Sequence, residues 1–347
     1  MSSGTSAVPG EQSRADWHVY QGTGLPGVAE KLPDPPPWRR FAGEPVCEAP
    51  ADDSGEADRR IGGVRGTGWV PSPHEVSMVN AALYLRRPLL VTGRPGTGKS
   101  SLAYLVAREL GLGPVLRWPV TSRTTLKDGL YLYDAIGRVQ EINARRGEEP
   151  DIGEFVHLGP LGTALLPYER PRVLLIDELD KSDIDLPNDL LNVFEDGEFE
   201  IPELSRLAAR HPEVTVLTDD RDGSAVVRRG RVRCRSFPLV IITSNGEREF
   251  PAPFLRRCLK LHVDPPTFAQ LGAMVAAQFG ETDGVDISRL ITDFVERSEA
   301  TGGLASDQLL NAVHLAMQLS TSGAYQPDGD WQELLTAIWH PLSSTEG

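Results

Sequence analysis

Three short runs of contiguous apolar residues, Leu89-Leu90-Val91, Val173-Leu174-Leu175-Ile176 and Leu239-Val240-Ile241-Ile242, stand apart from the mixed sequence around them. Each is too short for a buried helix and lacks polar alternation, which is the pattern of strands buried on both faces of a parallel sheet. Between them the period becomes helical: Val76 to Leu85, then Ser101 to Gly111 with Leu102, Leu105, Val106 and Leu110 on one face, then Leu186 to Glu195. Gly111 and Gly113 stop the second of these helices. Val115 to Val120 reads as a further strand, and Tyr131 to Leu166 as a less regular insertion with a helix around Ile136 to Arg146. Alternation at Phe199 and Ile201 and at Val214 and Val216, with the turn signal Asp222-Gly223 beyond, predicts hairpin structure. After Pro265 only the helical period remains, over about 267–279, 286–299, 305–319 and 331–338.

Strands alternating with helices, followed by a purely helical tail, predict an α/β core with a parallel sheet and a second, smaller helical domain. The core spans about 66–265 and the helical domain 266–347. Residues 1–65 are rich in Gly, Pro, Ser and acids and poor in periodic apolar positions, so they predict a partly disordered arm rather than a domain. Within the arm, Leu32-Pro33-Asp34-Pro35-Pro36-Pro37-Trp38-Arg39-Arg40-Phe41 favours extended polyproline geometry. Trp38 and Phe41 are its candidate anchors, on the chain's own core in preference to a partner.

Composition narrows the partners. The net charge of -14 over 347 residues argues against a protein that mainly coats nucleic acid. Arg228, Arg229, Arg231, Arg233 and Arg235 form a local basic run, read here as a solvated hairpin. Cys47, Cys234 and Cys258 have neither metal-ligand spacing nor a disulfide framework, which fits a reducing interior. Met1 to Gly10 lacks the apolar core of a signal peptide, and no apolar run approaches the length of a membrane span. A soluble, cytoplasmic chain with no membrane partner is expected.

The candidate chemistry lies where the apolar runs end. The first run leads into Gly93-Arg94-Pro95-Gly96-Thr97-Gly98-Lys99-Ser100, with Ser101 opening a helix, so G-x-x-x-x-G-K-[ST] stands in strand–loop–helix context. Glycines let such a loop curl its N–H groups around a triphosphate, Lys99 reaches the β/γ-phosphates, and the Ser100 hydroxyl coordinates Mg²⁺. The helix that follows adds the positive end of its dipole. The second run ends in Asp177-Glu178, beyond the carboxyl end of a strand, where open α/β sheets bind ligands. Asp177 is placed to hold Mg²⁺ directly or through water, and Glu178 to polarise an attacking water as general base. The third run ends in Thr243-Ser244-Asn245, and Asn245 suits a hydrogen bond to the γ-phosphate or to that water. Arg256 and Arg257 close a short helix and are candidates for a finger to a neighbouring subunit's γ-phosphate; a helix C-terminal cap is the plain alternative.

With its motifs in this order, the chain resembles the AAA+ ATPases, and within them the MoxR-like branch, over about residues 70 to 340. The most specific stretches are Gly93–Ser100, Ile176-Asp177-Glu178-Leu179-Asp180-Lys181, Thr243-Ser244-Asn245-Gly246-Glu247-Arg248-Glu249-Phe250 and Phe254-Leu255-Arg256-Arg257-Cys258. By that resemblance Gly93–Ser100 is the Walker A loop, Asp177 and Glu178 are the Walker B acids, Asn245 is sensor 1, and Arg257 or Arg256 is the arginine finger. It implies a P-loop NTPase core of AAA+ type with a C-terminal helical lid, a helix-2 insert at about 123–166 and a hairpin before sensor 1 at about 197–236. Such inserts line a ring pore or touch a client. One departure stands out: Thr301-Gly302-Gly303-Leu304-Ala305-Ser306 has no Arg or Lys where the family commonly places a basic sensor 2 residue, and Arg297 is the nearest candidate. The Leu32–Phe41 stretch is also similar to extensions of MoxR proteins in conflict systems that pair the ATPase with a von Willebrand factor A protein.

The resemblance thus implies hydrolysis of ATP with Mg²⁺ by a homo-oligomeric ring, expected to be a hexamer, that remodels a client or effector protein. The alternative is a nucleotide-gated assembly module with little turnover. The missing basic residue leans toward it and the intact Glu178 against it. No N-K-x-D guanine motif occurs, so ATP is expected over GTP.

Overall fold

In the computed structural model, which describes residues 17–29, 31–51, 54–63, 71–144, 149–280, 284–301, 303–321 and 329–341, the three apolar runs become adjacent strands of one parallel sheet. The expectations for Met1–Gly10 and for Gly302 lie outside the described residues. The core runs α1 (Glu56–Ile61), α2 (Pro73–Leu85), β1 (Leu89–Thr92), α3 (Ser101–Leu110), β2 (Leu116–Pro119), α4 (Leu126–Leu130), β3 (Tyr131–Tyr133), α5 (Ala135–Ala144), β4 (Val156–Leu158) and α6 (Pro160–Ala164). It continues through β5 (Val173–Asp177), α7 (Leu186–Asp196), β6 (Glu198–Glu200), α8 (Pro202–Ser205), β7 (Glu213–Leu217), β8 (Ser224–Arg228), β9 (Arg231–Arg233), β10 (Leu239–Ser244), α9 (Ala252–Arg257) and β11 (Leu259–His262). The helical region contains α10 (Phe268–Phe279), α11 (Ile287–Thr301), α12 (Ser306–Thr321) and α13 (Gly329–Ile338).

The main sheet has the order β11-β1-β10-β5-β2, with all of its neighbours parallel. Side chains alternate across it. Leu90, Leu174, Ile176, Val240 and Ile242 enter one core, while Leu89, Val91, Val173, Leu175, Leu239 and Ile241 enter the other, against α2 and α3. Burial on both faces is why these strands read as unbroken apolar runs. The edge strand β11 escaped the sequence reading, because Lys260 and His262 break its apolar pattern.

A second sheet, order β3-β4-β7-β8-β9-β6, joins the two insertions that the sequence kept apart. His157 on β4 pairs in parallel with Leu217 on β7, so residues from 131–158 and 198–233 share one layer. The Asp222-Gly223 turn closes the β7–β8 hairpin, with Asp222 at φ 56. The basic run lies on this sheet with acidic partners: Arg228 with Glu213 at 2.9 Å, Arg233 with Glu198 at 3.3 Å, and Arg235 with Glu169 at 2.8 Å. Arg228, Arg229, Arg231 and Arg233 are exposed on or between these strands, the solvated hairpin that was expected.

Arg172 and Asp220 tie the two layers together. The guanidinium makes a bidentate pair with the carboxylate at 2.7 and 2.9 Å, donates to Pro114 O, and is fully buried. Breaking a buried pair strands the remaining charge and costs about 3–5 kcal/mol. Arg172→Met should therefore shift the denaturation midpoint of the core sharply downward in urea, whereas Arg172→Met combined with Asp220→Leu should recover most of that loss. Equal midpoints for the single and double variants would show that the pair is not what matters there.

The described part of the arm docks on its own core. Asn80 accepts from the Val19 and Tyr20 N–H groups and donates to Tyr20 O. The Glu109 carboxylate accepts from the backbone N–H groups of Gln21, Thr23 and Gly24 and from the Thr23 hydroxyl. Phe41 packs on Phe237, but the expectation for Trp38 fails: its side chain is 76% exposed. Arg39 enters instead, donating to Phe194 O and lying over the Phe237 ring, because its planar head can satisfy a buried carbonyl and stack on an aromatic face.

Candidate functional site

The loop between β1 and α3 carries the densest polar cluster at the carboxyl ends of the strands. Gly96 and Gly98 adopt left-handed φ of 72 and 83, which lets the chain reverse tightly before α3 starts at Ser101. Lys99, only 7% exposed, sends its ammonium to Gly93 O at 2.9 Å, Arg94 O at 2.7 Å and Asn245 Oδ1 at 2.8 Å. Burial lowers its pKa, against the opposing pull of Asp180, Glu178 and Asp177. Thr97 turns inward and donates to Arg94 O. Arg94 and Pro95 lie on the exposed rim of the loop.

Asp177 closes β5 and is held from three sides. Ser100 donates to Oδ1 at 2.7 Å, Thr243 donates to the same oxygen at 2.8 Å, and Arg117 on β2 donates to Oδ2 through Nη2 at 2.7 Å and Nε at 3.2 Å. Burial raises the carboxyl's pKa, but the hydrogen bonds from Arg117, Ser100 and Thr243 outweigh it and hold the group below the usual carboxylate range. Asp177 is thus an anion at neutral pH, with one hydroxyl-bearing loop residue beside it.

Glu178 follows in a left-handed conformation at φ 62, unusual for a residue with a side chain. Its N–H donates to Thr243 Oγ1 at 2.8 Å, which fixes the turn, and its carboxylate leaves the strand end toward Asn245 Nδ2 at 3.3 Å and Lys181 Nζ at 2.7 Å. The Glu178 contact raises the Lys181 pKa. Asn245 is aimed by Asp180, whose Oδ2 accepts from the N–H groups of Asn245 and Glu247 at 2.8 and 3.0 Å. A cavity of about 520 Å³ lies beyond Glu178, with Asp180, Lys181, Glu247 and Arg248 on its wall. A second, of about 260 Å³, opens between Arg94, Pro95 and Thr97 of the loop and Phe268, Leu271 and Phe294 of the helical region.

Lys99, Ser100, Asp177, Glu178 and Asn245 therefore share one hydrogen-bonded network, although three separate strands deliver them. Arg256 and Arg257 are not in it: among the described residues no hydrogen bond or ion pair links either side chain to this cluster. Both lie on α9, where Arg87 donates to the Arg256 and Arg257 carbonyls as a C-terminal cap, and Arg257 pairs with Glu195 at 3.5 Å. Arg297 donates to Thr336 on α13 and makes no described bond to the loop. Sequence reasoning missed Arg117, Thr243, Asp180 and Lys181 as members of the site. The one available signal for Arg117 was a charged residue inside an otherwise apolar strand.

The donor set is one that suits a phosphate ester: a buried ammonium, a glycine loop at a helix start, a hydroxyl beside an ionised carboxylate, and a second carboxylate next to open space. Residues 88–258 match the model of the AAA domain, dynein-related subfamily. No curated protein matches the chain in sequence. Among solved structures, a RuvB variant from Thermotoga maritima is similar at TM-score 0.41 and 14% identity, over 76% of this chain and 66% of that one.

Proposed function

We propose that the AAA domain formed by residues 88–258 binds ATP on the Gly93–Ser100 loop and hydrolyses it within a homo-oligomeric ring, using turnover to remodel a partner protein. The observation that carries this reading is the single network joining Lys99, Asn245 and Glu178 beside the Ser100–Asp177 pair. Each member has a task that hydrolysis requires. Lys99 exchanges the Gly93 and Arg94 carbonyls for phosphate oxygens. Asn245, already bonded to both Lys99 and Glu178, positions water between phosphate and base. Glu178 takes the proton of that water as its oxygen attacks the γ-phosphorus and ADP departs.

A Mg²⁺ ion prefers oxygen ligands and few carboxylates, keeping phosphate oxygens and water in its shell. Ser100 Oγ and Asp177 Oδ1, 2.7 Å apart, fit that demand, with Asp177 held ionised. When bound, the ion supplies positive charge against the phosphates. Arg117, on the other carboxylate oxygen, keeps Asp177 oriented. The cavity between the loop and α10–α11 is the place for the base and sugar, and its apolar walls at Phe268, Leu271 and Phe294 suit a stacked heterocycle. Arg256, exposed at the end of α9, is the residue offered to a neighbour's γ-phosphate.

The test is equilibrium binding of a fluorescent ATP analogue, with GTP as competitor, alongside steady-state hydrolysis. ATP is expected to displace the probe better than GTP, and Lys99→Ala to weaken binding about tenfold or more, since a charge-assisted contact to phosphate contributes about 1.5–3 kcal/mol. Undiminished affinity in Lys99→Ala would remove the loop from the proposal. The ring's client and its cellular place belong to the same proposal. Pull-down with Glu178→Gln in ATP would identify the client, a von Willebrand factor A protein being one class to look for. Stoichiometric assembly with turnover unaffected by any partner would favour a nucleotide-gated module instead.

A further inference from the structure

At Ser306 the helical region meets the phosphate-binding loop through a neutral, hydrogen-bonded contact. Ser306 opens α12, and both its hydroxyl and its backbone N–H donate to the Gly96 carbonyl, at 2.8 and 3.3 Å. The first N–H groups of a helix have no partner within it, so this one finds its acceptor on the loop. Ser306 is 6% exposed, which removes water as a competitor. The approach depends on Gly96: a Cβ there would lie 2.4 Å from Ala305 Cα. On the other side the segment is fixed to the helical core, since Leu304 is buried in it and donates its N–H to Ser298 Oγ at 3.0 Å. Residues 303–306 thus form a short link with one end in the helical core and the other on the loop's main chain.

The loop's carbonyls are the groups that nucleotide must disturb. Gly93 O and Arg94 O hold the Lys99 ammonium, and Arg94 O also accepts from Thr97. Phosphate oxygens that draw Lys99 away would free those carbonyls, and rotation of the peptide planes between Gly93 and Thr97 would then redirect the Gly96 carbonyl. A hydrogen bond is directional, and Ser306 has to follow it or let go.

We propose that Ser306 is a positioning residue that transmits occupancy of the loop to the helical region through the Gly96 carbonyl, in place of a charged side chain reaching the phosphate. This rests on the reading that the loop binds ATP. The link is neutral and runs to main chain, so it senses loop shape rather than phosphate charge.

Hydrogen exchange on the full-length chain, with and without saturating Mg-ATP, tests it together with kcat, KM and the Kd of the fluorescent analogue. In the wild type, ATP is expected to change exchange at the Ser306 amide and in the first turn of α12. Ser306→Ala, which removes the hydroxyl bond and keeps the N–H one, should bind the analogue with a Kd within about threefold of wild type, weaken the ATP-dependent change in α12, and lower kcat roughly 3- to 10-fold at unchanged KM, the scale of one neutral hydrogen bond. Ser306→Thr, which keeps the hydroxyl, should restore both. A Ser306 amide that ignores saturating ATP in the wild type overturns the inference without any variant, as does an ATP response in Ser306→Ala equal to wild type. A wild-type chain that binds no ATP removes the parent reading as well, whereas ATP binding without the coupling removes this inference alone.

Discussion

Glu178→Gln is expected to bind ATP as the wild type does and to turn it over about 10³-fold more slowly, within the range general-base catalysis supplies. The amide keeps the size of the carboxylate and its hydrogen bond with Asn245 but has no basic oxygen. The side chain also loses its ion pair with Lys181, now 2.7 Å away. That pair is half exposed and contributes little to stability, so the fold should be indifferent to the change. Single-turnover hydrolysis measured beside analogue binding separates the two quantities. Undiminished turnover would transfer the base to another carboxylate, for which Asp180 is a candidate, its Oδ1 being buried with no hydrogen-bond partner.

Arg256→Ala is expected to lower kcat by about 10³-fold, the lower end of what an arginine finger contributes, and to leave ATP affinity nearly unchanged. Arg257→Ala should have a much smaller effect. The difference follows from α9: the Arg257 head is drawn to Glu195, and Arg39 of the arm approaches the same carboxylate oxygen at 3.9 Å. Arg256 is exposed, while its carbonyl is pinned by Arg87, so the backbone is fixed and the side chain projects outward. If Arg256 serves a neighbour as proposed, mixing Arg256→Ala with Glu178→Gln should recover part of the activity: a mixed pair contains one interface with an intact base and an intact finger. No recovery on mixing, with assembly demonstrated by light scattering, would place both residues in one subunit's site or remove the finger role.

The motifs were legible because each is contiguous in sequence. A strand, a glycine loop and a helix start cannot be separated from Gly93–Ser100, and the acids after β5 and the asparagine after β10 sit at ends of strands that announce themselves as apolar runs. Parallel pairing then had to bring those ends together, since β1, β10 and β5 are neighbours with matching register. What the sequence concealed were groups whose role depends on a partner far along the chain. Arg117 meets Asp177 only because β2 pairs with β5, and Ser306 meets Gly96 only because α12 packs back over the loop. Trp38 looked the better anchor by hydrophobicity, yet Arg39 is buried, because the cavity it enters offers a carbonyl and an aromatic face.

By itself, then, the sequence determined the α/β core, its phosphate loop and the order in which acids and amide appear at strand ends, for these follow from local periodicity and backbone chemistry. Only the tertiary structure decided that two insertions form one six-stranded sheet, because strands as short as β3, β4, β6 and β9 carry too little local preference to declare themselves and are held by pairing across the chain. It also decided how the helical region holds the loop: by the Ser306 hydroxyl and N–H on the Gly96 carbonyl, a contact that one missing Cβ permits and no motif records.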